Sequence, residues 1–184
     1  MKSGIIVIAL VEPPLRDRIL ALQRRFDPKL AASQPPHVTV AGSSGMGPIS
    51  TKTAPAELRA ALEPVARTTA PLSLRFGAPL RFMQTNVVVL PLDPHGPIRA
   101  LHDRIKASGL LYEQPRFTFT PHVTLNFFPE PTPEKLRAML AVRIDEPVML
   151  RRIQCHETLD LTRTRLLLEL ELTGDGSAPG DAHI

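Results

Sequence analysis

The chain has a single cysteine, Cys155, and no tryptophan, and aromatic residues make up only 4% of its 184 positions. One thiol excludes a disulfide framework and any zinc site built on several thiolates, and it suits a reducing compartment. So few rings argue against an extended base-stacking track. Charge of one sign is also scarce. The 22 basic residues against 18 acidic ones leave a net +4, too little for a polybasic binder. No apolar run approaches the roughly 18 residues of a membrane span. Ile5 to Val11 follows Lys2 but ends at Glu12-Pro13-Pro14 without a small-residue cleavage site, so it reads as a buried strand and not a signal peptide. A cytoplasmic monomer is expected, with no membrane association, no stable protein partner and no cofactor.

What is present is ordinary for a folded enzyme or binding domain. Apolar residues are 43% and charged residues 22%, which excludes wholesale disorder. A chain of this length suits one domain or two small lobes sharing a core, and it can bury roughly 70% of its unfolded surface. Arginine heavily outnumbers lysine. Its guanidinium contacts phosphate bidentately, although a composition bias accounts for the excess equally well.

The order of elements repeats. Ile5–Val11 reads as a strand and Leu15–Phe26 as an amphipathic helix that Pro28 stops. A short extended segment His37-Val38-Thr39-Val40 follows Pro35-Pro36, then a flexible loop from Gly42 to Gly47. A helix capped by Thr53 with Pro55 in its first turn runs to about Ala66, and short strands lie at Leu72–Phe76 and Leu80–Phe82. The series then restarts. Val87–Leu92 is a strand, Pro97 to Ala107 a helix with Gly109 just past it, and Arg116–Phe128 an extended segment holding His122-Val123-Thr124-Leu125. A helix capped by Thr132 and strands near Val148–Thr158 and Arg165–Leu172 close the chain. The pattern predicts an α+β domain over 1–172 with halves of about 4–83 and 85–172, each with a mainly antiparallel sheet, and a tail over 173–184.

The sharpest signal is a pair of short motifs. His37 and His122 stand 85 residues apart, each preceded by proline and each followed two residues later by threonine. Side chains alternate along a strand, so His37 shares a face with Thr39, and His122 with Thr124. The alternation extends this polar face to Arg116, Thr118, Thr120 and Asn126, and turns Phe117, Phe119, Val123, Leu125 and Phe127 to the core. A third near-match, His156-Glu157-Thr158-Leu159, lacks the proline and the place in the repeat, and reads as an exposed strand segment.

Two imidazoles across a cleft can act on a phosphodiester as general base and general acid, because their ordinary pKa of about 6.5 suits both roles. Each threonine can donate its hydroxyl to a non-bridging phosphate oxygen, and its β-branched side chain keeps that hydroxyl placed. This chemistry calls for no metal.

Pro36-His37-Val38-Thr39-Val40 and Pro121-His122-Val123-Thr124-Leu125, set in a duplicated α+β chain, resemble the 2H phosphoesterase superfamily, in particular its 2'-5' RNA ligase-like, or RNA 2',3'-cyclic phosphodiesterase, group. The resemblance spans roughly residues 4 to 172. It implies two pseudo-symmetric lobes flanking a central cleft, one motif on each wall. The implied activity is metal-independent hydrolysis of a 2',3'-cyclic phosphate, leaving a 2'-phosphate, or of a 2'-5' linkage, at ends of RNA or nucleotides; the reverse reaction would be 2'-5' RNA ligation. His122 would be the base, His37 the acid, and Thr39 and Thr124 the phosphate ligands. A non-enzymatic nucleotide or RNA-end binding module using the same cleft is the alternative.

The chain departs from the group's pattern twice. Ala41-Gly42-Ser43-Ser44-Gly45 stands where an aromatic often follows the first motif, and Asn126-Phe127-Phe128 where a basic residue often follows the second. Arg116 or Arg81 can replace the cation, although surface charge is the simpler reading of both. Thr118, Thr120 and Asn126 are second-tier cleft candidates. His95 and His102 lack the companions of a metal site, Cys155 lacks a catalytic partner, and the glycine-rich loop lacks the lysine of a phosphate-binding loop. That loop reads as a flexible connection or a lip over the cleft.

Overall fold

A computed structural model describes residues 4–175 as an α+β chain of eight strands and five helices. Strand β1 (Ile5–Val11) is followed by helix α1 (Leu15–Phe26), which buries Leu15, Ile19, Gln23 and Phe26 at three- and four-residue spacing. Helix α1 ends at Phe26, as the sequence suggested, but Pro28 is not the end of helical structure. It opens a second short helix, α2 (Pro28–Ser33), because Asp27 breaks from helical geometry and its carboxylate accepts the Leu30 amide at 3.0 Å as an N-cap.

Strand β2 (His37–Ala41) carries the first motif, and helix α3 (Pro55–Arg67) starts one residue later than expected. Ala54, not Thr53, holds the cap position. Its amide donates to the Glu57 carboxylate at 3.0 Å, while Thr53 closes a turn onto Ser50. Strands β3 (Leu72–Leu74), β4 (Leu80–Arg81) and β5 (Val88–Pro91) precede helix α4 (Pro97–Lys106), which buries Ile98, Leu101, His102 and Ile105. Strand β6 (His122–Asn126), helix α5 (Pro133–Leu140) and strands β7 (Val148–Thr158) and β8 (Thr164–Glu171) complete the series. Thr132 caps α5 through its hydroxyl, as its sequence predicts.

Both sheets are antiparallel. One has the order β2-β1-β7, with β3 and β8 sharing the far edge of β7; the other has the order β4-β5-β6. The sheets do not follow the two halves of the chain, since β7 and β8 join β1 while β4 joins β5. Strands β2 and β6 pack against each other, and each half's helix packs on the other half's motif strand, α1 on β6 and α4 on β2. One buried polar side chain marks each crossing. Gln23 Nε2 donates to the Thr124 carbonyl at 2.8 Å, and the His102 Nδ1–H donates to the Val40 carbonyl at 2.8 Å. His102 therefore ties α4 to β2, and its ring stacks on Phe119 with centroids 3.9 Å apart.

The glycine-rich loop is tied by backbone hydrogen bonds to the segment before the second motif. The Ser43 carbonyl accepts the Arg116 amide at 2.8 Å, and the Gly45 amide donates to the Phe117 carbonyl at 2.9 Å. Gly45 (φ +80°) and Gly47 (φ +81°) are left-handed, and a Cβ at either would collide with His102 or with the Glu113 carbonyl. At the other end of the chain, the Thr173 and Gly174 amides donate to the Ala66 and Thr69 carbonyls, and 176–184 lie outside the described residues.

Candidate active site

The two motif strands share a device that periodicity does not reveal. In β2 the pairing with β1 shifts after Thr39, so that Val40 and Ala41 are both buried. In β6 the pairing with β5 shifts after Thr124, so that Leu125 and Asn126 are both buried. Each shift reverses the alternation one residue past the threonine. His37 with Thr39, and His122 with Thr124, therefore stay on one face as predicted, and all four line one cavity of about 570 Å³.

Beyond the bulge the sequence expectation fails. Asn126 is 1% exposed, and its side-chain amide donates to the Asn86 and Pro129 carbonyls, so it closes its own turn and does not reach the cavity. Phe127 and Phe128, one of them expected in the core, line the cavity instead. Asp27 holds them there. It is fully buried, and its second carboxylate oxygen accepts the Phe127 and Phe128 amides, both at 2.8 Å. Lys29 Nζ lies 4.3 Å over the Phe128 ring. Gly42 and Phe127 both lie five residues past their motif histidines and both line the cavity, so the ring stands after the second motif and a glycine at the matching place after the first.

Before Pro121 the chain is not a strand, because residues 116–121 make no ladder and lean on the loop through Ser43 and Gly45. Alternation loses its hold there. Arg116, Phe117 and Thr120 line the cavity, whereas Thr118 is exposed outside it. Arg81 is spent on its own turn, donating to the Thr85 carbonyl at 2.5 Å.

The imidazoles are held alike. Nδ1 of His37 lies 2.7 Å from the Pro35 carbonyl, and Nδ1 of His122 lies 2.6 Å from the Thr120 carbonyl. A carbonyl only accepts, so both Nδ1 atoms carry the proton and each neutral ring keeps a bare Nε2. Phe82 meets the His122 ring edge-on, with centroids 5.1 Å apart. Burial pushes the His37 imidazole from its ordinary value down to about 4; the Pro35 hydrogen bond opposes this and the charges of His122 and His156 add to it. Burial also lowers His122, against the Thr120 hydrogen bond. Both rings are therefore proton acceptors in the free protein at neutral pH.

The third near-match is not an exposed segment. His156 is half-buried on the same sheet face as Thr39, Thr158 and Thr164 line the cavity, and Glu157 pairs outward with Arg165. Gln23, Gln34, Phe127, Phe128 and Thr164 were all missed at the sequence level. Only the Asp27-Pro28 pair, a cap followed by a first-turn proline, could have signalled the helix that brings Gln34 to the site. Cys155 is buried beside this face, and burial pushes its thiol up to about 12, which makes it inert. Among the described residues, no group of three or more His, Cys, Asp or Glu could hold a metal ion.

Comparisons with known proteins place the chain among phosphoesterases. A Geobacillus kaustophilus protein named "Putative phosphoesterase" is 28% identical over 174 residues, covering 93% of this chain and 90% of its own length. A Geobacillus thermodenitrificans protein of the same name is 26% identical over 172 residues, with the same coverage. Escherichia coli LigT, in crystals with 3'-AMP, shares the fold at 18% identity and a TM-score of 0.56, over 93% of this chain and 98% of that one. The LigT complex with phosphate gives a TM-score of 0.54 over the same shares. The model of the 2'-5' RNA ligase superfamily matches residues 11–161, and the chain belongs to that superfamily of 2H phosphoesterases.

Proposed function

We propose that the protein hydrolyses 2',3'-cyclic phosphate, or 2'-5' linked phosphodiesters, at the ends of RNA or nucleotides. The observation that carries this reading is the convergence of two imidazole–hydroxyl pairs on one cavity, each ring offering a bare Nε2. A cavity of about 570 Å³ falls within the range of small-ligand sites and suits a mononucleotide or a strand end. The LigT crystals with 3'-AMP and with ATP show that this fold accommodates nucleotides. The reading takes residues 1–172 as one bilobal unit, active as a cytoplasmic monomer.

In the proposed reaction His122 Nε2 takes a proton from water, whose oxygen attacks phosphorus. His37, protonated at Nε2, gives its proton to the departing 3'-oxygen. The P–O3' bond breaks, a 3'-hydroxyl forms and a 2'-phosphate remains. The Thr39 and Thr124 hydroxyls donate to the non-bridging oxygens, where charge builds in the transition state. The imidazoles end with exchanged protonation states, and a solvent proton exchange restores them.

The test is incubation with 2',3'-cyclic nucleotides in EDTA, with the product linkage assigned. A 2'-monoester is the expected product. Binding without product would establish the binding-module reading instead, and turnover only after metal addition would establish a different hydrolase.

A pH dependence follows from the lowered imidazoles. Catalysis needs one ring protonated and one neutral, and kcat/KM reports the free protein. With His37 near 4 and His122 also below its ordinary value, the population with one proton peaks on the acid side of 6.5. The expected kcat/KM therefore falls from pH 6 to pH 8, whichever ring is the base. A phosphate monoanion in the cavity raises both rings, so kcat alone peaks at higher pH. An optimum of kcat/KM above pH 7.5 contradicts this.

A further inference from the structure

The two motif histidines are held by carbonyls two residues earlier, so whatever orients those carbonyls orients the catalytic rings. In each motif the intervening proline carbonyl is pinned by a neighbouring strand or its extension. Pro36 accepts the Val11 amide at 3.1 Å, and Pro121 accepts the Leu92 amide at 2.9 Å. The residue three before each histidine supplies the other anchor. In the second motif this is Phe119, stacked on His102. In the first it is Gln34, whose Nε2 donates to Thr164 Oγ1 at 2.9 Å.

Thr164 in turn meets a third imidazole. Its Oγ1 lies 3.0 Å from His156 Nδ1, and His156 Nε2 lies 2.8 Å from Gln154 Oε1. With His156 neutral, the donors and acceptors along this line admit one consistent assignment. Gln154 Nε2 donates to the Glu169 carboxylate, so its Oε1 must accept from His156 Nε2–H. A neutral His156 then has a bare Nδ1, which accepts the Thr164 hydroxyl proton. Thr164 Oγ1 keeps a lone pair for Gln34. Burial, opposed by Glu169, lowers His156 and keeps it in that neutral form.

We propose that His156, acting through Thr164 and Gln34, is a positioning residue that fixes the Pro35 carbonyl and with it the tautomer and pose of His37. The chain of contacts runs from β7 and β8, across the sheet face, to the C-terminal end of α2, and it bypasses β1. It gives the near-match His156-Glu157-Thr158 a role that its place outside the repeat concealed. Gln34 and Thr164 both line the cavity, so the device borders the substrate space without supplying a reacting group. The role rests on the assignment of His37 to the reaction; the ring signal that tests it does not.

The experiment is nitrogen-15 NMR of the His37 ring in the full-length protein at pH 7.5, with Thr164→Val as the first variant. Valine keeps the shape of threonine and removes the hydroxyl. The native ring is expected to show Nδ1 protonated and Nε2 bare. In Thr164→Val the two nitrogen shifts should move toward the tautomer mixture of free imidazole, with the melting temperature little changed. Gln34→Leu breaks the other end of the contact and should shift the ring the same way. His156→Phe combined with Thr164→Val should do no more than Thr164→Val alone, as members of one chain do. In turnover, kcat should fall by about tenfold or more with KM nearly unchanged. His37 nitrogen shifts identical to the native ones in both Thr164→Val and Gln34→Leu overturn the proposal, whatever the protein does to cyclic phosphates.

Discussion

Replacing His37 or His122 by alanine is expected to lower turnover of a 2',3'-cyclic nucleotide by about 10²- to 10⁴-fold, with cooperative unfolding retained. In the proposed reaction each ring handles one of two protons, and no other imidazole among the described residues lines the cavity to take its place. His156 is the nearest substitute in sequence terms, but both of its nitrogens are engaged by Thr164 and Gln154. The double variant should be little worse than the poorer single one, because losing either proton step already stops the concerted transfer. Single-turnover rates on purified variants check this. Retained turnover in either alanine variant would rule out the acid–base pair. Each ring is held by a neutral backbone carbonyl, so the loss should appear in kcat before it appears in stability.

The second large effect concerns a residue with no chemistry of its own. Asp27→Ala is expected to cost about 3–5 kcal/mol of folding stability, since three backbone amides, those of Leu30, Phe127 and Phe128, lose a buried acceptor at once. The cost falls on both halves of the chain. One carboxylate oxygen caps α2 in the first half of the chain, and the other holds the turn after β6 in the second. Asp27→Asn keeps one good acceptor oxygen and should cost clearly less. Urea unfolding of both variants measures the difference, and a loss under about 1 kcal/mol in Asp27→Ala would show that water replaces the carboxylate. Where the alanine variant still folds, KM should rise more than kcat falls. The Phe127–Phe128 wall of the cavity is then released, while the imidazoles keep their own carbonyl partners.

How far the site was legible can be followed along one strand. His122 and Thr124 share a face because strand alternation is a property of neighbouring residues, and any sequence with that spacing shows it. The same rule placed Asn126 on the cavity side and Phe127 in the core, and both are reversed. The register shift after Thr124 comes from pairing with β5, some 35 residues upstream, and nothing in His-Val-Thr-Leu-Asn announces it. Arg116 and Thr120 line the cavity as expected, but Phe117 and Thr118 leave the alternation for a different reason. They make no ladder, so the chain there follows the glycine-rich loop and not a sheet. The missing ring was likewise a matter of placement. An aromatic absent from the first motif's flank is present on the second's, aimed by a carboxylate 100 residues away.

By itself the sequence determined the α+β class, the repeated order of elements and the two His-x-Thr pairs. Each depends on local periodicity, capping and short spacing, and these act between residues a few positions apart. Only the tertiary structure decided which other side chains share the cavity. It brought Gln34 to Thr164 across the sheet, sent the two C-terminal strands into the first sheet, and crossed α1 and α4 over the opposite motif strands. It also decided the state of the imidazoles, because desolvation and the carbonyls that choose a tautomer depend on everything packed around a ring. The scarcity of cysteine, tryptophan and net charge narrowed the chemistry to histidine and hydroxyl; long-range packing turned two such pairs into one site.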